Sequence, residues 1–122
     1  MKHLLWGALV VMLAATSAFA DWRVYYEDGK VIASEDYLSN APYRGMPSVW
    51  VRWHYKTPKD DRGGSKRQFA ADCTKHRLLE ISFATYDKAG NYVESTQLYD
   101  APRQYPLKGS KLNQATYELL CQ

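Results

Sequence analysis

Few side chains in this sequence are of the types that do chemistry, and their spacing decides what they can do. Two are the thiols of Cys73 and Cys121, and beyond His3 near the start two are imidazoles, His54 and His76. Cys73-x-x-His76 with Cys121 and His54 is a spacing that a zinc ion would accept. No second close pair supports it, and two cysteines in a secreted domain most simply bridge each other. With both sulfurs in a bridge, no nucleophile stands out. The adjacent Asp60-Asp61 precede Arg62, which reads as a solvated charge cluster rather than an acid/base pair. No GxSxG elbow, HExxH helix or phosphate-cradling glycine loop occurs. A hydrolase would have to run on His54 or His76, each set among polar neighbours. The expectation is a noncatalytic protein with no cofactor and no metal.

The bridge depends on compartment, and the first residues address it. Lys2 gives a positive start, Leu4 to Ala15 is apolar, and Ala18-Phe19-Ala20 is a small-x-small cleavage site. The apolar run is too short to span a bilayer. Residues 1–20 therefore read as a secretory signal peptide, and 21–122 as one domain. Asp21 follows the cut where a lipid-anchored protein would carry cysteine. The mature chain is expected in the periplasm or at the cell surface, with no transmembrane segment.

The chain has 16 basic and 13 acidic side chains; removing Lys2 with the leader leaves a net of +2. That is too little for a strongly basic polyanion binder, and the Trp and Tyr content excludes disorder. The surplus charge is local. Between Lys56 and Arg67 stand Lys56, Lys59, Arg62, Lys66 and Arg67 against Asp60 and Asp61.

The elements that must position these groups follow from alternation and turns. Trp22 to Glu27 and Lys30 to Glu35 read as a hairpin about Asp28-Gly29, with Glu27 opposite Lys30 and Tyr26 opposite Val31. Asp36 to Pro47 reads as a connection. From Ser48 to Thr57, Val49, Val51, Trp53 and Tyr55 alternate toward a core, leaving Trp50, Arg52, His54 and Lys56 on a wet face. Pro58 to Ser65 reads as a loop with Gly63-Gly64 at its flexible end. Gln68 to Cys73 is read as extended. Leu79, Ile81 and Phe83 point inward on the next strand, with Glu80 and Ser82 outward. Asp87-Lys88-Ala89-Gly90 is a tight turn, and Asn91 to Asp100 is the partner strand. Ser110 caps a helix over Lys111 to Leu120, with Leu112, Ala115, Thr116 and Leu119 on one face. The fold class is α+β: an antiparallel meander of five or six strands, one C-terminal helix packed on a face, and one disulfide. One helix covers one face of the sheet and leaves the other wet.

Val49-Trp50-Val51-Arg52-Trp53-His54-Tyr55, Asp72-Cys73-Thr74-Lys75, Tyr86-Asp87-Lys88-Ala89-Gly90 and Pro106-Leu107-Lys108-Gly109-Ser110, with a helix ending at Cys121, resemble the surface-adhesin protein E family. The order and spacing of these motifs over nearly the whole mature chain carry the resemblance. It implies small envelope domains of Gram-negative bacteria, a sheet packed with a helix, and one disulfide. It also implies adhesion, the binding of host matrix or plasma proteins.

The residues themselves suggest a binding module. Trp50, Arg52, His54 and Lys56 on the uncovered face, with Lys59, Arg62, Lys66 and Arg67 beside it, suit a protein or polyanionic partner. Tyr43, Arg44, Trp50 and Arg52 could imitate a nucleic-acid site, but no nucleic acid is expected for a secreted chain of this charge. A resident periplasmic protein with a structural or small-ligand role is the alternative. An exposed sheet edge would permit a homodimer.

Overall fold

The computed structural model describes residues 22–59 and 62–122, with Pro58 and Lys59 described by their backbone only. The leader, Asp21 and the Asp60-Asp61 pair lie outside the described residues.

Among the described residues seven strands precede one helix: β1 (Trp22–Glu27), β2 (Val31–Tyr43), β3 (Met46–Lys59), β4 (Arg62–Asp72), β5 (Arg77–Asp87), β6 (Tyr92–Gln97), β7 (Arg103–Tyr105) and α1 (Lys111–Leu120). The sheet is an antiparallel meander in chain order from β1 to β6. β6 pairs with β5 over Ser82 to Tyr86, and the short β7 continues along the same edge at Leu78 to Glu80. Among the described residues no helix is long and apolar enough to cross a membrane.

The alternation of β3 builds the core as expected. Val49, Val51 and Trp53 are buried on one face, with Val31, Ala33, Phe69 and Leu78 beside them. Burying each large apolar side chain contributes about 1.5–3 kcal/mol. Helix α1 lies on this face. Leu112 and Leu119 pack on the core, and Thr116 is fully buried. A polar thread ties helix to sheet: Trp53 Nε1–H donates to the Tyr25 hydroxyl at 3.0 Å, which lies 2.8 Å from the Thr116 hydroxyl, itself donating to the Leu112 carbonyl. Ser110 caps the helix, its side chain accepting from the Asn113 N–H. Cys73 and Cys121 form the disulfide, their Cα atoms 5.6 Å apart.

Four local expectations are corrected. Glu27 lies opposite Ile32 and Tyr26 opposite Ala33, partners two residues beyond those of a turn at Asp28-Gly29. The Asp28 carboxylate accepts from the N–H groups of both Lys30 and Val31, which moves the turn to Gly29-Lys30. A bulge at Tyr25 restores the faces, so that Tyr25 reaches the core. Second, residues 36–47 are not a connection. β2 and β3 extend to a hairpin whose turn, Arg44-Gly45, has φ of +50° and +80°, the primed geometry.

Third, Gly63 and Gly64 are not a flexible end. Both are buried in β4, where a Cβ on Gly64 would collide with the Trp53 carbonyl oxygen and one on Gly63 with that of Asp87. Fourth, strict alternation fails on β5. Gln68 pairs with Ser82 but Phe69 with Glu80, so Ile81 is an inserted residue. Below that bulge, Leu78 and Glu80 share the core face, and Glu80 is fully buried.

Candidate functional site

The face of the sheet away from α1 is concave. Trp22 and Val24 of β1 line the same cleft as Tyr92 of β6 and Gly90 just before it, although β2 to β5 lie between those edges in sheet order. The sheet is therefore cupped, and its close backbone approach at Gly63 and Gly64 is where side chains are excluded. The cleft is about 820 Å³, within the range of small-ligand sites of about 300–1,000 Å³.

Its floor carries two cations side by side. Arg52 on β3 and Lys66 on β4 are directly opposed across the strand pair. Like charges in that position destabilise a sheet. Among the described residues no carboxylate lines the cleft, and neither Arg52 nor Lys66 forms an ion pair. They are held by aromatic rings instead. The Arg52 guanidinium lies 4.7 Å from the Trp22 ring centre. The Lys66 ammonium lies 5.8 Å from Trp22 and 5.3 Å from Trp50. Such cation–π contacts attract by about 0.5–2 kcal/mol and fix where the charges sit. His54 is exposed on the same floor. The Tyr86 side chain also lines the cleft, but its buried hydroxyl has no hydrogen-bond partner among the described residues. Burial pushes the Tyr86 phenol upward, against a lowering by Arg52.

The structure thus unites Trp50, Arg52, His54 and Lys66, and sets the other expected residues apart. Lys56 is paired with Glu27 at 2.8 Å. The side chain of Lys59 lies outside the described residues. Arg62 lines a second cleft, of about 740 Å³, with Tyr55, Thr57 and Leu112 on the helix side. Arg67 is the clear correction to a surface reading of the basic run. It is on the core face, one residue out of phase with Lys66, and donates to Glu80 and lies against the Tyr105 hydroxyl. Tyr105 also donates to Glu80 at 2.8 Å, and Arg103 lies 3.3 Å from the second Glu80 oxygen.

Trp22 and Tyr92 are site residues that the sequence reading did not single out. Trp22 could have been found by its even-numbered phase with Val24 on β1. Tyr92 could not, because only the curvature brings it across. His54 and His76 fall at opposite ends of β4, and His76 sits in the β4–β5 turn with its Nδ1 3.0 Å from the Tyr117 hydroxyl. Both sulfurs are in the disulfide.

Comparison of the chain with models of known families, with curated proteins and with solved structures finds no match.

Proposed function

We propose that this protein is a noncatalytic binding module of the bacterial envelope, of the surface-adhesin protein E kind, that takes an anionic partner on its cupped sheet face. The observation that carries the reading is the opposed Arg52–Lys66 pair, which has no carboxylate partner among the described residues in a cleft whose described lining holds no acid. An arriving anion relieves the repulsion between the two cations and gains both attractions. Trp22 and Trp50 hold those cations in place before the partner arrives, which lowers the ordering cost of binding. Trp50 is also half-buried and offers apolar contact area, as tryptophan does at many interfaces.

The test is charge reversal at both positions, Arg52→Glu with Lys66→Glu, measured against an immobilised acidic polymer by surface plasmon resonance. Binding should be lost in the double variant, retained in a Lys111→Glu control on the helix, and weakened by salt in the parent. Equal binding by parent and double variant removes the groove from the account. Protease treatment of intact cells then separates display on the surface from residence in the periplasm.

A further inference from the structure

Resting on that reading of the cupped face, we infer that its occupant is an acidic sugar unit, a uronic acid or a sulfated pyranose, rather than an acidic peptide. Three features of the groove narrow the chemistry. It is a concavity of about 820 Å³, sized for a compact ligand rather than for a flat protein epitope. The backbone groups of its floor are engaged in the pairings of β2 with β3, β3 with β4 and β4 with β5. A peptide strand laid on that floor meets no free backbone, since the main-chain groups that extended peptides use lie on the outer edges of β1 and β6 rather than inside the groove. The ligand must bring its own polar groups.

The walls then decide which groups. Val24 is 60% exposed and Tyr92 is 68% exposed, one at each lip. They present apolar surface and one ring face to the C–H side of a sugar. Ser34 and His54, which line the groove, offer hydrogen-bonding groups for its hydroxyls. Arg52 and Lys66 meet its carboxylate or sulfate. The Trp22 ring already carries Arg52 and Lys66, which leaves Tyr92 as the exposed ring of the groove, and hexathymidylate tests whether a base stacks there.

Isothermal titration with four probes of matched length tests this: a heparin-derived hexasaccharide, maltohexaose, hexaglutamate and hexathymidylate. The acidic hexasaccharide should bind the intact protein, and maltohexaose should not. Hexaglutamate should bind about tenfold more weakly or worse, having charge without the sugar surface. Tyr92→Ala, an exposed position, should weaken the hexasaccharide about fivefold or more and leave hexaglutamate binding unchanged. If hexaglutamate binds as tightly as the hexasaccharide, the groove reads charge alone: this inference falls and the anionic-partner reading stands. If hexathymidylate binds most tightly, the sugar assignment is overturned in favour of nucleic acid. If none of the charged probes binds, both readings fall together.

Discussion

Glu80 is the side chain whose neighbours leave it least freedom. It is wholly buried, with Arg67 and Tyr105 on one oxygen and Arg103 near the other. Replacing it with alanine leaves Arg67 nearly buried and without its counter-charge, which costs about 3–5 kcal/mol. The paired change Arg67→Met with Glu80→Leu should recover most of that loss, and urea unfolding of the parent and the two variants measures it. Tyr86 is the opposite case. Its hydroxyl is buried with no partner among the described residues, so Tyr86→Phe should raise stability, by about 1 kcal/mol, in the same assay. A loss instead would mean that the hydroxyl has an acceptor. Neither residue was legible in the sequence. Alternation sets Glu80 outward, and only the inserted Ile81 turns it in. Arg67 looked like part of a surface cluster because composition along a strand ignores phase, and adjacent residues on a strand face opposite ways.

The elements were easier to read than their junctions. The β3 alternation, the helix with its Ser110 cap and the Asp87-to-Gly90 turn stand where periodicity and turn chemistry put them; Gly90 has φ of +89° and the Asp87 carboxylate accepts from two backbone N–H groups. The β1–β2 turn moved by one residue because the Asp28 side chain folds onto the backbone beyond it, an interaction that competes with the ordinary two-residue turn. Gly63-Gly64 was legible only as a break. Glycine serves flexible tips and close backbone approaches alike, and which one applies depends on a neighbouring strand. Here the approach decides, and Gly64→Ala should destabilise by about 1–3 kcal/mol or more, since the new Cβ meets the backbone of β3 and the Tyr86 ring. Gly29, with nothing near its Cβ position, is the control: Gly29→Ala should leave the thermal midpoint nearly unchanged.

At the scale of the whole molecule, the disulfide closes a 48-residue separation between the β4–β5 turn and the end of α1. Cys73→Ser with Cys121→Ser should cost about 4 kcal/mol by the loop-entropy estimate, read from denaturant midpoints of the two forms. The alkaline limit of stability lies with two phenols. Burial pushes Tyr25 and Tyr105 from 10.0 to about 12. The unfolded chain therefore ionises first as pH rises. Their contribution is intact below pH 10 and is lost as pH climbs toward 12. A pH series of thermal midpoints should bend downward over that window, and Tyr25→Phe should flatten the bend. The architecture was legible because one helix and a meander admit few arrangements. The cupping was not, since it arises from bulges and backbone approach rather than from hydrophobic pattern.

The distribution of indoles gives the protein an optical reporter of its own. Trp53 sits in the core, its N–H engaged by Tyr25, while Trp22 and Trp50 stand on the cupped face beside cationic groups. Acrylamide should therefore quench the emission of the latter two and spare the first. Occupancy of the groove should appear as a blue shift confined to the quenchable fraction, readable in dilute solution without any attached dye.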